Sequence, residues 1–313
     1  MNPILRGLLS VPYQLLNQGL HTIECRIMGR NMESLPYAPV FIIGAPRSGS
    51  TVLYQVLTNY YDFGFLANIH CLFYGGPSLI ENILHSNRSG GGHADYTSRF
   101  GKTEGWSSPS ECGEFWYRFF RRHPPYVPLE EADPGKMEEL RKAFYALEMA
   151  FKKPILFKNL YCTLRLMPIA TTLPEARFIV IRREIVDNAH SILEGRENVK
   201  GDYSTWWSAE PPDIEQLRHR PPAEQAVEQV RHINDLIDRD RQLIDPSRFV
   251  DVQYESFCDD VQGTLSKLDL FFEGHGIAIR HTGVSIPNKF ERRSEIRIEK
   301  SLYDQIVNYV RGS

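Results

Sequence analysis

Residues 44 to 51 combine the residue types of an anion-binding loop. The stretch Gly44-Ala45-Pro46-Arg47-Ser48-Gly49-Ser50-Thr51 contains two glycines, three hydroxyls and one cation. Glycines let backbone N–H groups close on an anion, and hydroxyls and a guanidinium add donors. An apolar run, Val40 to Ile43, precedes the stretch, and apolar residues at helical spacing follow it. A strand should therefore present this loop at the positive end of a helix, where phosphate or a similar group binds.

The loop differs from the P-loop of ATP-binding proteins. That motif reads G-x-x-x-x-G-K-[ST], and its lysine reaches the terminal phosphates. Here Ser50 occupies the lysine position and the cation is Arg47, inside the loop. A kinase-like phosphotransferase is therefore disfavoured. A glycine-containing turn that binds nothing is the plainer alternative, but the coincidence of cation, hydroxyls, glycines and flanking pattern favours a ligand.

A second candidate anion site follows a second apolar run, Arg177 to Ile181. Arg183 leaves the end of this predicted strand and Ser191 lies one helical stretch later. Both could reach one anion at the carboxyl edge of a parallel sheet, where open α/β sheets bind ligands. Arg183 could equally pair with Glu184 or Asp187 at the start of the helix.

Strands and helices alternate along the chain. Further strands are predicted at residues 153–159 and 248–254, and helices at 111–122, 136–152, 185–193, 223–244 and 259–273, with Gly195 as a helix stop. We expect an α/β protein with a three-layer, P-loop-like fold, in which a central, mainly parallel sheet is flanked by helices. The cluster at residues 89–93, SGGGH, predicts a flexible loop.

The two motifs together resemble those of sulfotransferases that use 3′-phosphoadenosine 5′-phosphosulfate (PAPS). In that family the loop reads approximately P-[KR]-[ST]-G-[ST]-[ST], matching residues 46–51, and a second motif, R-[DE]-x-x-[DE]-x-x-x-S, matches residues 183–191. Weaker similarity lies at residues 157–159 and 254–257. The resemblance covers about residues 38 to 273 and is strongest to the bacterial and carbohydrate branch, since the loop carries Arg47 in place of a lysine.

The resemblance implies a single sulfotransferase domain over residues 1–313, with an N-terminal helical extension at 1–37 and a helical acceptor-binding insertion at 62–152. It implies PAPS as donor, adenosine 3′,5′-bisphosphate as product, and no metal. The donor's 5′ end would contact Arg47, Ser48, Gly49, Ser50 and Thr51, and its 3′-phosphate would contact Arg183 and Ser191. Arg292, in the segment 289–294, is the candidate to close over the 3′-phosphate.

Four residues are candidates for the reaction itself. Arg47 would stabilise charge on the leaving phosphate, since a guanidinium does not readily give up its proton. A general base near the donor sulfur should be His, Glu or Asp. His70 is narrowly preferred over Glu111, and each has a structural alternative, a buried hydrogen-bonded histidine or a helix N-terminal carboxylate. Lys158 could touch the transferred group or an acidic acceptor, or be an ordinary solvated lysine.

The sequence does not single out the residue that contacts the adenine. Val52 occupies the position where cytosolic members of the family often carry a tryptophan. Trp206 or Trp207 could take that role, although two adjacent tryptophans commonly anchor a loop to a core.

The composition excludes some classes of partner and site. The net charge of −3 provides no footprint for nucleic acid, and five scattered cysteines without a C-x-x-C pair suggest neither a disulfide framework nor a zinc site. The cysteine pattern fits a reducing, cytoplasmic setting. No run reaches the length of a spanning segment, so we also expect a soluble protein. The N-terminal helix is amphipathic; packing on the domain is preferred over a weak membrane-surface contact, which its few basic residues would not strengthen.

The expected function is transfer of a sulfuryl group to a hydroxyl, with a carbohydrate or glycolipid as acceptor. Aromatic residues of the insertion could stack on a sugar or enclose an apolar alcohol: Phe63, Phe65, Phe73, Tyr74, Trp106 and Trp116. The alternatives are a phosphotransferase and a non-catalytic nucleotide-binding regulator. The oligomeric state is not indicated by any pattern.

Overall fold

Four parallel strands form the centre of the fold. The computed structural model of the chain describes residues 3–27, 34–84, 96, 105–292 and 295–312, with backbone alone for 3–10. The strands are β1 (Val40–Gly44), β2 (Leu156–Lys158), β3 (Arg177–Arg182) and β4 (Phe249–Gln253), in the order β2-β1-β3-β4. The predicted α/β class and parallel sheet are confirmed.

Each strand alternates between two apolar layers because successive side chains point to opposite faces of a sheet. On one face a row of rings crosses all four strands: Phe157, Phe41, Phe178 and Phe249, with neighbouring centroids 5.4, 5.5 and 5.1 Å apart. On the other face Val40, Ile42, Ile179 and Ile181 belong to a second core cluster. Helices cover both faces, which makes the three layers.

The helices fall into groups along the chain. They are α1 (Pro3–Ile27), α2 (Ser50–Tyr60), α3 (Asn68–Leu72), α4 (Pro77–Leu84), α5 (Gly113–Trp116), α6 (Pro134–Phe151), α7 (Leu160–Thr163), α8 (Leu166–Thr172), α9 (Ile185–Lys200), α10 (Ile214–Leu217), α11 (Pro222–Arg241), α12 (Tyr254–Asp259), α13 (Val261–Gly274) and α14 (Lys300–Gly312). Of these, α2, α12 and α13 pack on the Ile42 face, and α6, α8, α9, α11 and α14 on the Phe41 face.

The strand order sets the position of the site. The chain leaves β1 for β2 on one side and later returns to β3 on the other, so the direction of winding changes between β1 and β3. Ligands of open α/β sheets bind at the carboxyl ends of the strands at such a point. The loop after β1 and the Arg183 motif after β3 flank it.

Several predicted boundaries are wrong. Helix α9 continues through Gly195 to Lys200, the predicted helix at 111–122 is the short α5 followed by turns, and a separate helix, α12, precedes α13. The N-terminal segment is helical to Ile27. The glycine-rich cluster at 89–93 and parts of the 1–37 and 62–152 segments lie outside the described residues. Among the described helices, none is long and apolar enough to cross a membrane.

Candidate active site

A cleft of about 820 Å³ opens at the carboxyl end of the sheet. Its lining includes residues from both motifs, from the insertion and from the tryptophan loop: Arg47, Gly49, Ser50, Thr51, Arg183, Ser191, Lys158, Glu111, Trp206 and Trp207. The structure therefore brings most of the predicted site residues to one place. Ser48, His70 and Arg292 are not among the lining residues.

The ring of Tyr254 packs closely against the loop after β1. Gly49 has φ 92°, and a Cβ there would lie 3.1 Å from Cγ of Tyr254 and closer still to two carbons of the ring. Helix α2 begins at Ser50, so its free backbone N–H groups face the loop. Ser48 is fully buried. Position 49 therefore requires a glycine, both for its left-handed backbone and for the close packing of the Tyr254 ring.

Arg47 joins the two predicted anion-binding motifs. It adopts φ 65°, which is unusual for a residue with a Cβ. Its Nε donates to Ser191 Oγ at 3.0 Å, and Arg183 Nη1 donates to the carbonyl of Arg47 at 3.2 Å. Asn188 Nδ2 donates to the carbonyl of Pro46 at 2.5 Å. Three side chains from the β3 side thus fix the loop that follows β1.

Arg183 is oriented by an aromatic ring rather than by a carboxylate. Its guanidinium lies 4.8 Å from the ring centroid of Tyr254. Among the described residues, no ion pair connects it to Glu184 or Asp187, the alternative partners that the sequence offered. Burial raises the pKa of Tyr254 to about 12, so its hydroxyl is neutral at ordinary pH.

Lys158 and Glu111 form an ion pair inside the cleft. Lys158 is buried at the end of β2, and its Nζ donates to Glu111 Oε1 and, at 3.2 Å, to Thr51 Oγ1. Asn159 Nδ2 donates to the carbonyl of Glu111 at 3.0 Å. The ammonium therefore lies between the anion-binding loop and a carboxylate, and Lys158 is not the solvated side chain that the plainer interpretation offered.

His70 lies outside the cleft. It is fully buried on α3, its Nδ1 accepts from the backbone N–H of Ala67 at 2.9 Å, and its Nε2 is 3.2 Å from Glu81 Oε2 on α4. Its ring packs on Phe151, with centroids 5.7 Å apart. This arrangement matches the buried, hydrogen-bonded alternative for His70, since the imidazole is fully buried and does not line the cleft.

Both tryptophans line the cleft, and both are also anchored to α9. A Cβ at Gly195 would lie 3.0 Å from Cη2 of Trp207 and closer to two other ring atoms. Arg196 is buried beneath Trp206, 4.8 Å from a ring centroid, and Arg196 Nη1 donates to Gln225 at 2.8 Å. Burial lowers the pKa of Arg196 to about 10. The missing side chain at Gly195 thus makes room for the indole of Trp207, and the helix continues past this residue.

The C-terminal segment contributes a different arginine from the predicted one. Arg292 is half exposed, pairs with Asp259 at 3.4 Å and is not among the residues that line the cleft. Arg297 lines the cleft instead; its Nη1 is 3.2 Å from Glu194, and its backbone N–H donates to His190 Nε2 at 3.0 Å. No sequence pattern singled out Arg297, because its position depends on how the segment before α14 packs on α9.

The donors around the cleft suit an anionic nucleotide. Ser48 Oγ, Arg183 Nε and Trp206 Nε1 are buried and have no hydrogen-bond partner among the described residues. A buried donor without a partner is costly, so a ligand that accepts from these atoms would be favoured. Within the described ranges no group of three or more His, Cys, Asp or Glu side chains could hold a metal ion.

The chain is similar to known sulfotransferases in sequence and in fold. Residues 39–273 match the model of the sulfotransferase family. The omega-hydroxy-beta-dihydromenaquinone-9 sulfotransferase Stf3 of Mycobacterium bovis is 22% identical over 272 residues, covering 81% of this chain and 68% of the relative.

Two solved structures share the fold. Sulfotransferase STF9 from Mycobacterium avium has a TM-score of 0.57 and 14% identity, covering 99% of this chain and 78% of that one. Sulfotransferase STF1 from Mycobacterium tuberculosis has a TM-score of 0.52 and 13% identity, covering 85% and 73%. At these identities the likeness to solved structures supports the fold alone.

Proposed function

Since this chain belongs to the sulfotransferase family, we propose that it transfers a sulfuryl group from PAPS to a hydroxyl. The observation that carries the proposal is the 3.0 Å hydrogen bond from Arg47 to Ser191, which joins the loop after β1 to the helix after β3. A donor with phosphate groups at its 5′ and 3′ positions needs two sets of anion-binding groups within one cleft. The two motifs supply them.

The loop and the second motif would hold the donor from opposite sides. Ser48, Gly49, Ser50 and Thr51, with the N-terminus of α2, would bind its 5′ end, and PAPS would supply the sulfuryl group there. Arg183 and Ser191 would bind the 3′-phosphate, supported by Arg297 in place of Arg292. Trp206 or Trp207 would pack against the adenine.

Glu111 is the general base of this proposal, in place of His70. The Glu111 carboxylate lies in the cleft and His70 does not. Glu111 would take the proton of the acceptor hydroxyl while the acceptor oxygen bonds to sulfur and the bond from sulfur to the phosphate oxygen breaks. Lys158 holds Glu111 in place and, at 3.2 Å from Thr51 Oγ1, could stabilise charge on the transferred group. Arg47 would stabilise charge on the leaving phosphate.

The acceptor is proposed to be a hydroxyl on a lipid or glycolipid. The mycobacterial relative is named for a hydroxylated menaquinone, which favours the lipid part of the expected acceptor class. The lining of the cleft includes Leu160, Tyr161 and Phe290. Apolar and aromatic side chains of this kind suit an acceptor with a hydrocarbon or sugar face.

Helix α1 is proposed to contact the membrane surface that would hold such an acceptor. Its apolar side chains Val11, Leu15 and Ile23 are 58%, 61% and 48% exposed, whereas its polar Asn17 and Glu24 are buried against the domain. Apolar side chains thus lie on the exposed side of this helix, beside exposed polar ones such as Gln14 and Gln18. Vesicles of phosphatidylglycerol should retain the wild-type protein in flotation, and a Leu15→Glu variant should lose that retention. Leu270→Glu, at a leucine 71% exposed on α13, should not, and equal loss in both variants would contradict the assignment.

Nucleotide binding tests the donor. The protein should bind adenosine 3′,5′-bisphosphate in calorimetry without added metal, and an Arg183→Ala variant should bind it at least about tenfold more weakly. The same substitution should weaken the binding of adenosine 5′-phosphate, which lacks the 3′-phosphate, much less. Arg182→Ala is the matched control because Arg182 pairs with Asp238 at 2.5 Å instead. Preferential binding of ATP with magnesium would favour a phosphotransferase.

Transfer of labelled sulfate to a panel of lipid, glycolipid and sugar hydroxyls tests the reaction. Glu111→Gln should lower kcat by about 10² to 10⁴ while bisphosphate binding persists. Glu114→Gln, at an exposed carboxylate paired with Arg122, should behave as wild type. A Glu111→Gln enzyme with a normal single-turnover rate would remove Glu111 from the mechanism, and bisphosphate binding without transfer to any acceptor would favour a regulator. A cytoplasmic location and a single domain over residues 1–313 stay predictions.

A further inference from the structure

Two cysteines meet beside the proposed base. Cys71 lies on α3 and is partly exposed, and Cys112 is the buried residue that follows Glu111. Both are free cysteines. Helix α3 packs on α5, which Cys112 immediately precedes, so the two cysteines lie in neighbouring segments. The Cys71 thiol donates to the carbonyl of Ala67 at 3.4 Å, and the proposed chemistry of the cleft uses neither cysteine.

Backbone hydrogen bonds bring the segments of the two cysteines together. The segment before and within α3 pairs with residues 106–110: Ser110 N donates to Leu66 O at 2.8 Å, Asn68 N to Ser108 O at 3.1 Å and Ile69 N to Trp106 O at 3.0 Å. Cys71 follows one such segment and Cys112 the other. Their contact is therefore a consequence of how the insertion folds and not of a mobile surface side chain.

The backbone at Cys112 connects this pair to Glu111. Cys112 has φ 44° and ψ 55°, a left-handed conformation that a residue with a Cβ rarely adopts. Such strained residues persist only where the surrounding structure holds them, and they concentrate at functional sites. A covalent change at Cys112 would act on its neighbour Glu111 through a single peptide unit.

The two thiols differ in reactivity. The neighbouring Cys112 lowers the pKa of Cys71, whereas burial raises the pKa of Cys112 well above its usual range. The thiolate is the species that oxidants attack, and redox-sensing cysteines are accessible and lie next to a resolving thiol. Cys71 has the exposure and the lowered pKa of a redox-sensing cysteine, and Cys112 lies where a resolving thiol would.

We propose that Cys71 and Cys112 form a redox-sensitive pair, which a hydroperoxide oxidises to a disulfide that withdraws Glu111 from Lys158 and stops transfer. The Cys71 thiolate attacks the peroxide oxygen, the O–O bond breaks, and the remaining oxygen leaves as water or an alcohol. The Cys112 sulfur then attacks the resulting sulfenic acid, the S–S bond forms, and hydroxide leaves with the Cys112 proton as water. Two electrons pass from the sulfurs to the peroxide, and an added thiol reverses the change.

The proposed disulfide would draw Cys112 toward Cys71. Two bonded sulfurs lie about 2.05 Å apart with a restricted dihedral angle, much closer than two thiols in van der Waals contact. Cys71 is held within α3, so the proposal assigns the movement to the left-handed Cys112. Its displacement would break the contact between Glu111 and Lys158. The loss of transfer rests on the proposed role of Glu111, whereas the formation of the disulfide does not.

Peroxide treatment of the full chain tests the pair. Mass spectrometry of non-reduced peptides should show a Cys71–Cys112 crosslink after stoichiometric hydrogen peroxide, and dithiothreitol should remove it. Cys71→Ser should abolish the crosslink, whereas Cys25→Ser, at another partly exposed cysteine, should leave it unchanged. Cys71 oxidised to sulfinic acid without a crosslink would overturn the proposal.

The oxidised wild-type protein tests the switch without any variant. Its sulfate transfer should fall about tenfold or more, the scale of a lost general base, and should return on reduction, while its affinity for adenosine 3′,5′-bisphosphate stays within about twofold. A crosslinked protein with full transfer activity would overturn the switch. If the reduced protein transfers no sulfate at all, the proposed function fails, and the crosslink is still decided by the peptide measurement.

Discussion

Replacement of Gly49 by alanine should damage both stability and nucleotide binding, for reasons that can be separated. Gly49 has φ 92°, and its missing side chain leaves room for the ring of Tyr254. That ring in turn lies 4.8 Å from the guanidinium of Arg183. An added methyl group therefore strains the backbone and also pushes on the residue that orients a proposed phosphate ligand.

The two costs have different sizes and different origins. A left-handed conformation costs a residue with a Cβ about 1 to 2 kcal/mol. Forcing extra atoms into a packed site costs about 1 to 3 kcal/mol more. Gly49→Ala should therefore lower the free energy of unfolding by about 2 to 5 kcal/mol.

Gly201 isolates the first cost. It ends α9 with φ 83°, and no atom lies within 4 Å of the position that its Cβ would take. Gly201→Ala should lose about 1 to 2 kcal/mol from backbone strain alone. Urea denaturation followed by tryptophan fluorescence, with calorimetry of adenosine 3′,5′-bisphosphate binding, would measure both variants. Only Gly49→Ala should weaken the binding of the nucleotide.

A double-mutant cycle isolates the second cost. In a Tyr254→Ala background the overlap is gone, so Gly49→Ala should lose only the backbone term, and the coupling between the two substitutions should be about 1 to 3 kcal/mol. Equal destabilisation by Gly49→Ala and Gly201→Ala, together with no coupling to Tyr254, would refute the reasoning. The left-handed conformation would then be the whole role of Gly49.

Three further predictions concern stability. Burial raises the pKa of Glu148 to about 8 from an ordinary 4.5, so the folded protein holds a proton that the unfolded chain releases and stability falls as pH rises between these values. Glu148→Gln should remove that fall and gain about 4 kcal/mol at pH 8 over wild type in urea denaturation, and an unchanged pH profile would contradict it. Burial lowers the pKa of His190 below 6.5, so the stability present above pH 6.5 is lost as pH falls through the lower pKa of the folded state. His190→Gln, whose amide oxygen can still accept from the backbone N–H of Arg297, should make the thermal midpoint depend less on pH between pH 7 and 5. An equal pH dependence in both proteins would exclude His190 as the cause. Gly195→Ala should destabilise by about 1 to 3 kcal/mol because a Cβ meets Trp207, although glycine to alanine inside a helix ordinarily stabilises; a raised midpoint would show that the indole can move.

The sequence by itself determined the features whose parts lie close together along the chain. The apolar run from Val40, the glycines and hydroxyls of the next eight residues and the helical spacing after them are local, and so they specify a strand, an anion-binding loop and a helix in that order. The spacing of Arg183 and Ser191 is equally local, since both belong to one strand end and one helix. Alternating strands and helices then restrict the fold to a parallel, layered sheet.

Only the tertiary structure decided which side chains face the cleft. Glu111 and Lys158 are 47 residues apart, and no spacing rule connects a residue of the insertion to a strand end. His70 and Glu111 were near equals in the sequence, but the pairing of α3 with residues 106–110 places Glu111 at Lys158 and turns His70 toward Glu81. Arg297 rather than Arg292 reaches the cleft for the same reason. Periodicity reports which face of an element is buried, whereas the partner of a polar side chain depends on how separate elements pack, and that information is spread over the whole chain.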